Sequence, residues 1–358
     1  IKDCNGITYY GGKRDQTSRN TRVKARVKAE ALREFITVKD KIFVMGHQLT
    51  DVDSFGAAIG IYRAANALEK RAYIVINEVS ASLKPLYTAY ENNPDYPERL
   101  FLNSAEALEL ADESSMVVVV DTNRPGMTEC EELLHVAKTI VVLDHHRQSS
   151  DNIDNALLSY IEPYASSACE MVSEVLQYIV DDIKIPNLEA SSLYAGIMID
   201  TNNFMNKTGV RTFEAAAFLR RSGADITLVR KMFRADMESY RAKAQIISSA
   251  EVYHNKYAIA RGENLTIESP TIIGAQAANE LLDINEVKAS FVLTTYNGRI
   301  YVSARSIDEV NVQIIMERLG GGGHMNASGA QFDHTDMDEA VADLKQVIDD
   351  VIEGGEIE

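Results

Sequence analysis

Four short apolar runs in the first 200 residues of this chain each lead into an acid or an imidazole, and that pattern limits the fold more than any other feature. Ile42–Met45 is followed by His47-x-x-x-Asp51-x-Asp53, Met116–Val120 by Asp121, Thr139–Leu143 by Asp144-His145-His146, and Ala195–Ile199 by Asp200. The first three runs, with Ala72–Ile76, read as strands, and helical stretches separate them. This alternation is the signature of a mainly parallel α/β sheet with helices on both faces. In such a sheet the ligand site forms beyond the carboxyl ends of the strands, so residues distant in sequence are delivered to one edge.

Carboxylates held close together repel unless protons or cations neutralise them, and mixed His/Asp donors suit divalent transition metals. Taken singly, an Asp after a strand is a common turn former or helix cap. Independent turn signals would not select both His-x-x-x-Asp-x-Asp and Asp-His-His, so the reading for the ensemble is a two-metal hydrolytic centre. The two-residue offset of Asp51 and Asp53 lets both face one side of a strand-like loop. The following helix is rich in small residues (Gly56, Ala57, Ala58, Gly60, Ala64, Ala65). These allow close packing on the sheet and aim the helix N-terminus at the metal loop.

A chain of 358 residues is long for one core, so two domains are expected. With 36 basic and 53 acidic residues the net charge is −17, which excludes affinity built on broad contact with a nucleic-acid backbone. A small phosphodiester remains compatible, because bound cations and a few Arg or His groups can reverse the field locally. The charge is uneven: the first 39 residues carry 10 Lys/Arg against 4 Asp/Glu. There Gly11–Arg19 reads as a loop and Asn20–Ile36 as a helix with Val23, Val27, Ala31 and Phe35 along one stripe. The three cysteines, Cys4, Cys130 and Cys169, form no Cys-x-x-Cys pair, so neither a disulfide framework nor a thiolate zinc site is expected, and a reducing cytoplasm fits. No apolar run reaches the roughly 18 residues of a membrane span, and no signal-peptide pattern is present. A chain beginning on Ile1 reads as a piece whose upstream segments lie elsewhere.

Beyond Asp200, helices at Thr212–Arg221 and Ile226–Phe233 lead to a charged stretch, and the chain is expected to divide into residues 40–236, a connection at 237–249, and a smaller α/β domain at 250–358. The second domain is read as a strand at Tyr257–Arg261, a helix at Ile272–Leu282 and a hairpin of Ser290–Thr295 with Arg299–Ala304 turning at Asn297-Gly298. A helix at Val312–Leu319 then runs into Gly320-Gly321-Gly322-Gly323-His324, whose exposed amides suit phosphate, and an acidic helix at Met337–Ile352 closes the chain. The tyrosines from Tyr87 to Tyr96 read as packed rather than as a base-stacking platform. His135, His254 and His334 are left outside the site.

Asp144-His145-His146, the upstream His47 motif and the Gly320–His324 run, preceded by Ser303-Ala304-Arg305-Ser306, make the chain resemble the DHH phosphoesterase family: a DHH catalytic domain followed by a DHH-associated domain. The likeness is to the cyclic-di-AMP phosphodiesterases of that family, bacterial enzymes tethered to the membrane in which these domains follow a degenerate GGDEF domain. Residues 1–39 would then be the tail of that preceding domain and a linker helix. The resemblance implies a pair of Mn²⁺ ions per chain, one held by His47 and Asp51, the other by Asp53, His145 and Asp200, with Asp121 bridging them. Asp121, His145 and His146 would be catalytic, His146 standing beside the substrate phosphate or hydrogen-bonded behind the ligands. Asn123, Arg124, Thr201, Asn202 and Asn203 are placed for outer contacts. Arg305, Gly321, Gly322, Gly323, His324 and Asn326 would bind substrate. The implied reaction opens cyclic-di-AMP to linear 5′-pApA in a cytoplasmic, homodimeric unit whose parent is anchored in the membrane. Two alternatives stay open: a hydrolase of nanoRNA or phosphoadenosine phosphate in the same fold, and a cyclic-dinucleotide sensor without catalysis.

Overall fold

Runs of Val and Ile too short for helices build the first sheet of the computed structural model, which describes residues 18–148, 151–267, 269–307, 310–332 and 336–355. Most of the Gly11–Arg19 loop, Cys4 and His334 lie outside the described residues. The chain divides into two compact units, Ile1–Arg234 and Ala235–Glu358.

The first unit begins with α1 (Ser18–Thr37), β1 (Lys41–Met45), α2 (Val52–Ala67), β2 (Arg71–Val75), α3 (Lys84–Glu91), β3 (Phe101–Leu102), α4 (Ser104–Leu110) and β4 (Met116–Val120). It continues through α5 (Leu133–Val136), β5 (Thr139–Asp144), β6 (Leu158–Ile161), α6 (Ala168–Ile179), α7 (Asn187–Asp200), α8 (Val210–Arg221) and α9 (Ile226–Met232). The six strands run parallel in the order β3-β2-β1-β4-β5-β6. β4 and β5 are buried along their whole length, as strands covered on both faces must be. Ile42, Val44, Val118 and Val141 face a core shared with α2, α6 and α7, while Phe43, Met45, Val117 and Val142 face Ala107 of α4 and Leu133 and Leu134 of α5. The order reverses between β1 and β4, so the loops leaving these two strands diverge and open a crevice at their carboxyl ends, where ligands bind in doubly wound sheets.

The stripe expected on α1 is not the one it buries. Ala25, Ala29, Leu32 and Ile36 are fully covered, whereas Val23 and Val27 are 64% and 58% exposed. Both sets have helical spacing; the two alanines let the helix lie close, which larger side chains would prevent. The tyrosines in and after α3 are packed: Tyr90 is buried, its hydroxyl 2.8 Å from Ser192 Oγ, and its ring meets Phe55 edge-on.

The second unit opens with α10 (Met237–Ser248), then β7 (Glu251–Tyr253), β8 (Tyr257–Gly262), α11 (Pro270–Leu281), β9 (Ala289–Tyr296), β10 (Arg299–Ser306), α12 (Val312–Arg318), β11 (Gly322–His324), β12 (Ala327–Phe332) and α13 (Met337–Glu353). The stretch 237–249 is thus almost wholly helical, and Ala242 and Ile246 of α10 join a core with α11. The sheet order is β11-β12-β10-β9-β8-β7, with β8 and β9 parallel and the other pairs antiparallel. Asn297 and Gly298 take positive φ (49° and 73°) at the β9–β10 hairpin, as a two-residue turn of this hand requires. One face of the sheet packs on α12 and α13 through Phe291, Leu293, Val302 and Ala304. On the other, α10 and α11 cover Ala258, Ala260 and Val292. Among the described residues, no helix is long and apolar enough to cross a membrane.

Candidate metal centre

Beyond β1 the chain turns at Gly46, and His47 forms an antiparallel bridge with Thr128 while Gln48 N donates to the Met127 carbonyl at 2.8 Å. The segment ends on Asp51, which caps α2 by accepting from Ser54 N at 2.9 Å. Asp53 therefore lies in the first turn of α2. The expected strand-like offset of the two carboxylates is replaced by a cap and a helical position, which point the two groups to different partners.

Asp53 is fully buried, and its carboxylate accepts from Ala168 N at 2.6 Å and Cys169 N at 2.9 Å, the first turn of α6. A helix N-terminus suits an anion there. Ser167 caps that helix by accepting from Glu170 N, and Glu170 in turn accepts from the Ser166 hydroxyl at 2.5 Å and from Thr212 Oγ1 at 2.6 Å. α2 and α7 then approach through glycines. A Cβ on Gly56 would lie 2.7 Å from the Ser192 carbonyl, and one on Gly196 would lie 2.9 Å from Asp53 Oδ1. This contact brings Asp200, the last residue of α7, to Asp53. The apolar run before Asp200 is thus the end of a helix, not a strand.

Asp121 follows β4 directly and takes φ of 60°, a left-handed conformation that costs a non-glycine residue energy and clusters at functional sites. Its N–H still donates to the Leu143 carbonyl at 3.0 Å, so the kink occurs without leaving the sheet. His145, behind β5, places Nε2 3.2 Å from Asp121 Oδ1, 3.5 Å from Asp200 Oδ2 and 3.9 Å from Asp53 Oδ2. His47 Nε2 lies 3.4 Å from Asp121 Oδ2 and 3.6 Å from Asp51 Oδ2. Among the described residues three donor sets result, each with its atoms within 4.8 Å of one another: His47, Asp51 and Asp121; Asp53, His145 and Asp200; and Asp121, His145 and His146.

Asp144, the first residue of the triplet, belongs to none of these sets. Completely buried, it accepts from His146 N at 3.1 Å, contacts His146 Nδ1 at 2.9 Å and accepts from Asn123 Nδ2. It orients His146, whose side chain is half exposed. Sequence alone offers no signal that separates this carboxylate from the neighbouring members of the donor sets. The cap on α6 does leave one, in Ser167-x-x-Glu170.

The groups of the cluster shift one another's titration. Burial, reinforced by Asp53 and Asp121, raises Asp200 to about 9, and burial with Asp121 raises Asp53 to about 7. Burial opposes protonation of His47, but Asp121 and Asp51 carry it up to about 10; His145 rises to about 9 against burial through Asp121 and Asp53. Asp121 alone falls, to about 2, because His145 and His47 outweigh its burial. The raised values share one cause, carboxylates and imidazoles packed so closely that protons or cations are needed to offset the negative charge. Asp121 Oδ1 is buried without a hydrogen bond, since the 3.2 Å approach of His145 lacks hydrogen-bond geometry. An orphaned carboxylate oxygen between two His/Asp sets fits divalent metal.

In the second unit the glycine run turns at Gly320 and enters strand β11 at Gly322. β11 pairs with β12, and the hairpin turns at Met325 and Asn326. A Cβ on Gly321 would strike the backbone of Gly329 and Ala330, and one on Gly323, at φ of 143°, would lie 2.6 Å from the Ala327 carbonyl. Gly322 meets nothing within 4 Å, so of these three only its surroundings are open. Arg305 pairs with Ala327 and Ala327 with His324, which puts the arginine and the histidine in one cross-strand row on one face. The Arg305 guanidinium donates to the Ala304 carbonyl at 2.9 Å, and among the described residues no carboxylate lies within ion-pair distance of it. Asn326 accepts from Ser306 N at 3.1 Å through its carbonyl, tying the turn to the end of β10.

The chain belongs to the DHH family: residues 41–197 match the family's N-terminal domain and residues 265–353 match the DHHA1 domain. It is 42% identical to the cyclic-di-AMP phosphodiesterase GdpP of Geobacillus thermodenitrificans, over 99% of this chain and 54% of that protein. It is 40% identical to the cyclic-di-AMP phosphodiesterase PdeA of Listeria monocytogenes, over 98% of this chain and 53% of that protein. The chain thus spans about half the length of the curated relatives it matches. In fold it is similar to an exopolyphosphatase-related protein from Bacteroides fragilis, with a TM-score of 0.75 at 21% identity, covering 91% of this chain and 96% of that one.

Proposed function

We propose that this chain hydrolyses a phosphodiester bond of cyclic-di-AMP to give linear 5′-pApA, using a pair of Mn²⁺ ions. The observation that carries the reading is the meeting at Asp121 of the His47/Asp51 and Asp53/His145/Asp200 sets, in a chain so similar to named cyclic-di-AMP phosphodiesterases. His47 and Asp51 would hold one ion, Asp53, His145 and Asp200 the other, with Asp121 shared. Bound there, the ions supply positive charge that polarises the phosphate and makes water a stronger acid. The α6 N-terminus keeps Asp53 oriented as a ligand. Asp144 anchors the Nδ1 edge of His146, leaving Nε2 to share a proton with a phosphate oxygen. Arg305 and His324, in one row beside Gly322, Gly321, Gly323 and Asn326, would take the second phosphate and its nucleoside. Arg305 is suited to this because, among the described residues, no carboxylate lies within ion-pair distance of it.

Incubation with cyclic-di-AMP, 5′-pApA, phosphoadenosine phosphate and short RNA in Mn²⁺, followed by chromatography, tests the proposal. Conversion of the cyclic dinucleotide to pApA is the expected result. Consumption of phosphoadenosine phosphate or RNA with the cyclic dinucleotide untouched would replace the substrate, and tight binding of cyclic-di-AMP without turnover would make the chain a sensor.

A further inference from the structure

Glu129 is a buried carboxylate, 6% exposed, that joins none of the three donor sets. Its Oε1 accepts from Thr50 Oγ1 at 2.8 Å, and its Oε2 accepts from Asn77 Nδ2 at 2.6 Å and Asn77 N at 3.3 Å. Its carbonyl accepts from the same Asn77 amide at 2.9 Å and from Ser104 Oγ at 3.0 Å, and its N–H donates to the Gly46 carbonyl at 3.0 Å. Among the described residues no Lys, Arg or His lies within ion-pair distance of it. Burying an acid among neutral donors is costly, so the arrangement calls for a return elsewhere in the molecule.

That return lies in the segment it grips. Thr50 directly precedes Asp51, and its hydroxyl also lies 3.1 Å from the His47 carbonyl. Without the Thr50 side chain, the segment from Gly46 to Asp51 would be held at its beginning by the His47–Thr128 bridge, by Gln48 and by Glu129 N on the Gly46 carbonyl. Its Asp51 end would keep the cap on α2 and a long 3.5 Å contact from Ser80 Oγ to the Thr50 carbonyl. Asn77, just past β2, carries the grip across to the neighbouring strand and to α4, whose first residue, Ser104, donates its N–H to Asn77 Oδ1 at 2.9 Å.

We infer that Glu129 is a positioning residue for His47 and Asp51, acting through Thr50 and Asn77 to fix one donor set while leaving the Asp53/His145/Asp200 set to its own support on α6. The inference rests on the proposed metal reading. Groups that orient metal ligands typically change affinity by about 10- to 100-fold when removed.

The test is calorimetric titration of the full chain with Mn²⁺ at pH 7.5, comparing wild type with Glu129→Gln, Thr50→Val, His47→Ala and Asp53→Asn. His47→Ala and Asp53→Asn identify which binding event belongs to which set. The expected result is that Glu129→Gln and Thr50→Val weaken the event lost in His47→Ala by about tenfold or more, and leave the event lost in Asp53→Asn within about twofold of wild type. Thr50→Val keeps the side-chain shape and carries the test if Glu129→Gln does not fold. Titration like wild type in both variants would overturn the inference, as would equal weakening of both events. Failure of the wild type itself to bind metal would instead overturn the metal reading.

Discussion

Loading the centre with metal should expel protons, and the number follows from the apo cluster. At pH 7.5 His47 (about 10), His145 (about 9) and Asp200 (about 9) hold theirs, while Asp53 (about 7) has lost most of its own. A ligating imidazole must be neutral and a ligating carboxylate ionised, so filling both sets at that pH releases about three protons. Titrating Mn²⁺ by calorimetry in buffers of different ionisation enthalpy reads this number as the slope of observed enthalpy against buffer enthalpy. Asp200→Asn removes one of the three groups and should lower the slope by about one. Each displaced proton adds about a tenfold gain in affinity per pH unit below the relevant pKa, so the Asp53/His145/Asp200 set should tighten about a hundredfold from pH 7 to 8. A slope near zero at pH 7.5 would refute the reasoning, for the carboxylates would then not be holding those protons in place.

The same groups set how the metal-free protein responds to pH. His47, His145, Asp53 and Asp200 all have raised values, so each contributes stability below its unfolded pKa that is lost as pH rises through its folded one; Asp121 alone behaves oppositely, losing its contribution as pH falls toward about 2. Metal-free protein should therefore melt lower at pH 9 than at pH 6, and Asp200→Asn should flatten that trend in thermal scans; a trend unchanged in the variant would contradict it. Asp121→Ala should abolish turnover and lower Mn²⁺ stoichiometry, whereas near-normal turnover with a pair of bound metals would sink the shared-ligand assignment. Arg305→Ala and His324→Ala should cut apparent affinity for cyclic-di-AMP about ten- to hundredfold while Mn²⁺ titrates as in wild type; altered metal binding would place these residues elsewhere. Gly196→Ala drives a methyl group into Cys169 and to within 2.9 Å of Asp53 Oδ1. It should cost about 1–3 kcal/mol by thermal unfolding and weaken the Asp53 set, and loss of neither would show that the helix contact is slack.

Much of this architecture is legible in the amino-acid sequence. Val117–Val120 and Ile140–Leu143 are apolar without alternation because both faces are covered, and a strand so built must deliver its next residue to the sheet edge. Asp121 and His145 are found that way. Asp200 is found by the same run-then-acid pattern, but the element that carries it is not, because the run Ala195–Ile199 is as apolar in a buried helix as in a buried strand, and only packing against α2 decides. Residues on α1 mislead for a related reason: Val23–Val27 and Ala25–Ala29 both repeat every four residues, and the smaller pair wins the interface. The glycines before His324 are compatible with a loop, yet Gly321 and Gly323 are needed where β11 lies against β12. Buried carboxylates that support the centre, Asp144 and Glu129, carry no signature of their own, since their role is defined by partners distant in sequence.

Because Asp200 sits on a helix end rather than a strand end, half of the centre depends on how tightly two helices touch. Substitutions at Gly56, Gly60 or Gly196 would act as conditional defects, silent when divalent metal is plentiful and severe when it is scarce, since mass action restores a weakened site without repairing it. A screen for loss of function would then return a patch of positions along α2 and α7 whose phenotypes vanish on metal supplementation.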